Sequence, residues 1–334
     1  MTAQPHPIAD PAPDFAAIED AARRIAGHAV ETPLLESQLL NARLGGRLLV
    51  KAEPLQRTGS FKFRGAYNRI SRLDAAERKR GVVAFSSGNH AQGVAAAAQI
   101  VGTPAIIVMP SDAPEIKIAN TKAYGAEVVT YDRLRESREE IGARISAERG
   151  SILVPPFDDP FVIAGQGTTG LEIARQAKAA GITIDAVAAC ASGGGLVAGI
   201  ALAMERLSPS TAVHVCEPAG FDDHARSLAA GERLSNAPGA RSICDALLSP
   251  SPGVITFPIN RRLLRSGLVA TDEEVLRAMA VAFRDLKLVV EPGGAVSLAA
   301  ALTGRLPVRG RTVVVVCSGG NVDATTFKRA LDTL

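Results

Sequence analysis

The 334-residue sequence predicts an α/β protein built on parallel sheets flanked by helices, and three observations carry that prediction. Short β-branched runs alternate with longer stretches of helical spacing, as repeated strand–helix units require. Several of the runs are apolar throughout, as strands covered on both faces are. Two of the helical stretches stop at a glycine, which closes a helix by taking the left-handed conformation at little cost.

In order, strands are expected at RLLVKAE (47–53), VVAF (82–85), AIIVMP (105–110), EVVTY (127–131), DAVAACA (185–191), AVHVC (212–216) and TVVVVCS (312–318). Between them, HAQGVAAAAQIVG (90–102) ends on Gly102 and TTGLEIARQAKAAG (168–181) ends on Gly181. Residues 1–13 read as a flexible tail, with neither the basic start nor the apolar stretch of a signal peptide. SILVPPFDDP (151–160), with its three prolines, reads as a crossing between domains. The expected division is a small domain at 81–155 and a larger, discontinuous one at 14–80 and 156–334. The length fits two domains of about 150 residues.

Composition narrows the function. With 47% apolar and 21% charged residues, the chain is globular and not disordered. No apolar run approaches the ~18 residues of a membrane span. A net charge of +3 without a dense basic tract, no tryptophan and 4% aromatics give no footprint for nucleic acid. Cys190, Cys216, Cys244 and Cys317 are spaced 26, 28 and 73 apart with no CxxC pair. Cys190, Cys216 and Cys317 end apolar runs and read as small buried hydrophobes, and a reducing cytoplasm fits.

In open parallel sheets, ligands bind beyond the carboxyl ends of the strands. Four polar or glycine-rich segments fall there: SSGNHAQG (86–93), SGGGLVAG (192–199), EPAGFDD (217–223) and CSGGNVD (317–323). In the second, successive glycines let backbone amides close on an anion at a helix start near Leu196, which suits a phosphate. A bare strand–helix turn is the plainer reading. A dinucleotide site is also open, since Gly193, Gly195 and Ala198 fit GxGxxA and Glu217 follows about 20 residues later. That reading, an NAD-dependent dehydrogenase, leaves Lys62 and Ser318 without a role. GSFKFRGAYNRI (59–70) sets Lys62 in the first turn of a helix, with Ser60 expected as its N-cap. Phenylalanines on both sides and the positive end of the helix dipole both disfavour the ammonium. A neutral amine is what Schiff-base chemistry needs.

With KAEPLQRTGSFKFRGA, SSGNHAQG, SGGGL, VEPGGA and CSGGNVD in that order, the chain resembles the fold-type II pyridoxal-phosphate enzymes, in the branch of threonine/serine dehydratases and serine racemases. The resemblance runs from about residue 30 to 330 and implies a two-domain α/β architecture like that of the tryptophan synthase β chain. It implies that Lys62 carries pyridoxal 5'-phosphate and then takes the Cα proton. Ser192, Gly193, Gly194, Gly195 and Leu196 would hold the phosphate, Asn89 the ring hydroxyl, and Ser318 the ring nitrogen. A hydroxyl at Ser318, in place of a carboxylate, leaves the ring nitrogen neutral and favours expulsion of a β-substituent over transamination. Helix capping is the plainer role for Asn89.

The same resemblance places Ser86, Ser87, Asn89 and His90 around the substrate carboxylate, and Asp245 near its amine or hydroxyl. For His90 a bond to neighbouring backbone, and for Asp245 a cap, are the alternatives. Ser87 matches the serine that works opposite the lysine in racemases, so racemisation stays open. Glu217, the carbonyl of Phe221 and Asp223 match a divalent-cation site, whose oxygen set suits Mg²⁺ or Ca²⁺. Two features depart from the family or invite a second reading. Pro155 stands where the family motif has histidine, and Arg241, Arg261 and Arg262 are either surface residues or partners for a second substrate carboxylate.

The implied activity is β-elimination of water from L-threonine or L-serine, giving a 2-keto acid and ammonia. Serine racemase and 3-hydroxyaspartate dehydratase are the alternatives within the family, and a non-catalytic phosphate-ligand sensor is the alternative outside enzymes. Ending at Leu334 without a regulatory extension, the chain reads as the short, catabolic type, a cytoplasmic homodimer acting on a small amino acid.

Overall fold

The structure is a computed structural model that describes residues 12–334, apart from residues 87, 114, 133 and 134 and the side chain of Ile116. Among the described residues, ten strands form two sheets: β1 (Leu34–Glu36), β2 (Arg47–Ala52), β3 (Val82–Phe85), β4 (Ala105–Pro110), β5 (Glu127–Tyr131), β6 (Ile152–Leu153), β7 (Ala186–Cys190), β8 (Ala212–Pro218), β9 (Leu264–Ala270) and β10 (Thr312–Cys317). The larger sheet runs β1-β2-β10-β7-β8-β9 and the smaller β5-β4-β3-β6. Every pair is parallel except β1–β2.

All seven strands read from the sequence are present. Three were missed: β1 and β6 are only three and two residues long, and β9, with its polar and basic residues, carries no apolar run. The core follows the apolar runs. Val313 to Val316 of β10 and Ala186 to Ala189 of β7 are wholly buried, so helices cover both faces of these central strands.

Helix boundaries shift modestly. The helix Asn89–Val101 closes on Gly102 in the left-handed conformation, as read from the sequence. The helix read from residue 168 begins eight residues earlier, spanning Pro160–Ala179, because the side chain of Asp159 caps the amide of Val162 and Pro160 takes the first turn. Its neighbour Asp158 accepts from the amides of Val254 and Ile255, each at 2.8 Å, at the start of the helix Thr256–Leu263. Both aspartates of the proline-rich crossing thus anchor helix starts. The helix Lys62–Ile70 has Phe61 at its N-cap and no side-chain cap. Ser60 is not the cap: it pairs with Gly319 in an isolated antiparallel bridge just past the end of β10. No helix among the described residues is long and apolar enough to cross a membrane. Residues 1–11 of the expected tail lie outside the described residues.

Candidate active site

The strand order puts the chemistry together. β10 lies between β2 and β7, so the segments leaving these three carboxyl ends are neighbours. β2 leads towards Lys62, Ser318 directly follows β10, and β7 leads into the Ser192–Gly195 loop. The backbone of Ser318 accepts from the amide of Phe61 at 3.1 Å, which ties the lysine segment to the end of β10.

Lys62 points its amine into a cavity lined by Asn89, Phe157, Gly194, Glu291 and Ser318. The amine donates to the carbonyl of Pro156 at 2.6 Å and lies 5.1 Å from the Phe61 ring centre. Burial lowers its pKa to about 8, against the opposing pull of Cys190 and Glu291. The expected direction is therefore found, with desolvation as its cause.

At the end of β7, the helix Gly195–Leu207 starts from Gly194 at φ +93° with no side-chain cap. Its first amides are left for an anion. Side chains are excluded from this loop: a Cβ on Gly193 would come 2.1 Å from the Phe157 ring, and one on Gly194 would come 2.4 Å from Nε2 of His224. The loop is held from behind. Thr256 Oγ1 donates to the Gly193 carbonyl at 2.5 Å, and Ser192 Oγ donates to Ser249 Oγ at 2.5 Å.

Asn89 does not cap its own helix. Its amide donates to Oε1 of Glu291 at 2.5 Å, and its oxygen accepts from Asn321 at 2.8 Å. Burial, reinforced by the Asp245 carboxylate, raises the Glu291 carboxyl to about 7, and its Oε2 is buried without a hydrogen-bond partner. Ser318 accepts from the Cys190 thiol at 3.2 Å, and burial pushes that thiol up to about 11. All four cysteines are free and buried. Together, a desolvated amine, an uncapped helix start, a hydroxyl and an unpartnered buried carboxyl oxygen form a donor set that fits pyridoxal phosphate.

A second cavity adjoins the first, lined by Ser86, Asn89, His90, Lys117, Arg138 and Asp245 among others. The side chain of Ser86 accepts from the Gly88 amide at 3.2 Å. His90 donates from Nε2 to the carbonyl of Val154 at 2.9 Å, the backbone role left open above. Burial, then the charge of Lys62, lowers its pKa to about 3, so the ring is neutral. Asp245 opens a short 3-10 turn without capping it and pairs with Lys117 at 2.5 Å. Ser87 lies outside the described residues.

Glu217 and Asp223 come together as expected, and His224 joins them: one ligand atom from each lies within 4.8 Å of the others. Glu217 accepts from the amides of His224 and Ala225 at 2.9 and 2.8 Å. Phe221 sits half-buried on the intervening turn, its amide donating to the Pro218 carbonyl. Burial works against a charged imidazole at His224, yet the two carboxylates raise its pKa to about 9. The three arginines are surface residues: Arg262 pairs with Glu205, Arg261 donates to the Gly231 carbonyl, and Arg241 is exposed.

Sequence reading missed Glu291, Lys117, Arg138, Phe157 and His224. Glu291 stood in the VEPGGA segment, which gave a usable signal. Lys117 and Arg138 carry none, because each is one basic residue on an ordinary polar helix.

A family model described as pyridoxal-phosphate dependent enzyme matches residues 25–319. The chain is 43% identical over 311 residues to an L-threo-3-hydroxyaspartate ammonia-lyase of a Pseudomonas species, covering 93% of this chain and 96% of that one. It is 38% identical over 319 residues to a serine racemase of Schizosaccharomyces pombe, covering 96% and 97%. The crystal structure of a T.th. threonine deaminase superposes with a TM-score of 0.87 at 47% identity, covering 93% of this chain and 99% of that one.

Proposed function

The chain belongs to the pyridoxal-phosphate dependent enzymes, and within that family we propose that it is an ammonia-lyase eliminating water from a 3-hydroxy amino acid, with 3-hydroxyaspartate as the preferred substrate. This replaces L-threonine and L-serine as the first reading. The observation that carries it is charge in the substrate cavity: besides Lys62, two side-chain cations line it, Lys117, paired with Asp245, and Arg138, whose Nε donates to Glu139 at 2.8 Å. The start of the helix Asn89–Val101 suits the α-carboxylate, and Lys117 and Arg138 are the cations at the cavity that a second carboxylate would engage. The L-threo-3-hydroxyaspartate ammonia-lyase relative supports the same reading.

When bound, the cofactor supplies an electron sink for the pair left at Cα. Lys62 provides the base: with a pKa of about 8, a large fraction of its amine is neutral near that pH. The uncapped amides at Gly194–Leu196 would hold its phosphate. Ser318 would meet the ring nitrogen with a hydroxyl and not a carboxylate, which would leave that nitrogen unprotonated and favour loss of the β-hydroxyl. Asn89, fixed by Glu291 and Asn321, holds a polar ring substituent in place. The dehydrated amino acid then hydrolyses to a 2-keto acid and ammonia.

Dehydration of L-threonine and L-serine is the second reading, favoured by the 47% identity to a threonine deaminase. Initial rates of ammonia and 2-keto acid release from the 3-hydroxyaspartate isomers, L-threonine, L-serine and D-serine decide between them. The proposal expects the highest kcat/KM for a hydroxyaspartate isomer. A higher kcat/KM for L-threonine would install the second reading.

A further inference from the structure

Lys117 and Asp245 stand where two cavities meet. The substrate cavity adjoins another of about 400 Å³, whose polar lining includes Gln92, Asn120, Ser242 and Asn321. Among the described residues, the two cavities have Lys117 and Asp245 in common, and these two form an ion pair at 2.5 Å. Lys117 lies on the helix Glu115–Ala123, which leads into β5 of the smaller sheet. Asp245 opens the short turn Asp245–Leu247, which packs on the helix Pro292–Leu302 of the larger sheet's layer. The pair therefore joins the layers of the two sheets at the wall between the cavities.

The two partners differ in freedom. Lys117 is 7% exposed, and its ammonium lies beside the helix start: a Cβ on Gly88 would come 3.3 Å from Nζ. The Asp245 side chain is 43% exposed. A buried ammonium has three hydrogens to place and needs an anion near it. In the empty site that anion is Asp245, whose Oδ2 accepts from Nζ. A second substrate carboxylate at Lys117 brings the same charge to the same ammonium, and two carboxylates so close repel. Asp245 is the one able to yield, because the polar cavity behind it lets a displaced carboxylate stay hydrated, whereas Lys117 is enclosed.

We propose that Asp245 is a specificity-determining residue: it holds Lys117 while the site is empty and yields it to the second carboxylate of a dicarboxylic amino acid. The inference rests on the reading of Lys117 as a partner for that carboxylate. A monocarboxylic amino acid leaves the pair intact. A dicarboxylic one exchanges it, and Asp245 takes Lys117 back when the dicarboxylic product leaves. The charge of Asp245 thus acts as an intramolecular competitor, and its strength sets how far two carboxylates are preferred to one.

The test titrates cofactor-loaded wild type, Asp245→Asn and Asp245→Glu by calorimetry with L-aspartate and L-alanine, neither of which has a 3-hydroxyl to lose. Asp245→Asn is expected to bind L-aspartate roughly three- to tenfold more tightly, with a smaller change for L-alanine. Asp245→Glu keeps the charge and is expected to keep the wild-type ratio of the two affinities. A crystal structure of the wild type with L-aspartate needs no variant to fold. It is expected to show Lys117 on the second carboxylate and Asp245 turned into the neighbouring cavity. Equal gains for both ligands in Asp245→Asn would place Lys117 at the α-carboxylate, and weaker L-aspartate binding would make Asp245 a partner of the substrate. Either result, or an unbroken Lys117–Asp245 pair in the complex, overturns the proposal. The substrate reading fails on a separate measurement, turnover, if L-threonine has the higher kcat/KM.

Discussion

The side-chain amide of Asn89 donates to Oε1 of Glu291 at 2.5 Å, joining residues 202 positions apart at the wall of the cofactor cavity. The bond connects the start of the helix Asn89–Val101, which follows β3 of the smaller sheet, to the residue at the N-cap position of the helix Pro292–Leu302, which packs on the larger. The cost is a buried carboxyl.

That cost sets a pH dependence. Folding raises the Glu291 carboxyl from its ordinary 4.5 to about 7. Below pH 4.5 both folded and unfolded chains hold the proton, and the group is neutral to stability. Between pH 4.5 and 7 the unfolded chain releases it first, so stability falls as pH rises, by about 3 kcal/mol at most. Glu291→Gln keeps an acceptor for Asn89 and removes the titration. Urea unfolding at pH 5 and pH 8 is expected to show a smaller loss in the variant than in the wild type; equal losses would refute this assignment.

Lys62→Ala removes the only amine that lines the cofactor cavity among the described residues. Ammonia release is expected to fall by at least about 10³-fold, since both the covalent anchor and the base are lost. The visible absorbance reduced by borohydride in the wild type is expected to disappear on gel filtration of the variant. Borohydride-stable labelling that persists in Lys62→Ala would assign the anchor to another lysine.

Gly193→Ala tests the phosphate loop. The added methyl meets the Phe157 ring at 2.1 Å, so the loop or the ring must move. Overpacking of this kind costs about 1–3 kcal/mol. A lower melting temperature and weaker cofactor binding, read by titrating the cofactor absorbance, are expected together. Unchanged cofactor affinity would mean the loop does not hold the phosphate.

Lys117→Ala and Arg138→Ala test the second carboxylate. A hydrogen bond to a charged group contributes about 1.5–3 kcal/mol, or roughly 10- to 100-fold in kcat/KM. That loss is expected for 3-hydroxyaspartate, with a smaller one for L-serine. Losses of equal size for both substrates would remove the two cations from substrate selection.

The sequence carried the strands that are apolar throughout and the glycine that closes the helix Asn89–Val101, because burial on two faces and a left-handed cap each leave a local signature. It also carried Lys62, the glycine loop and Ser318 as chemistry at strand ends. It did not carry β9, whose Arg265, Ser266 and Gly267 give no apolar run, or the bridge that takes Ser60 away from the helix start. Only the tertiary structure decided that β10, the last strand of the chain, lies between β2 and β7. That order makes Lys62, Ser318 and the Gly193–Gly195 loop neighbours and sets the Glu217–His224 cluster one strand further on. It likewise chose Glu291 for Asn89 and Lys117 for Asp245. Periodicity records which face of an element is buried, whereas strand neighbours and long-range polar partners depend on how all the elements pack at once.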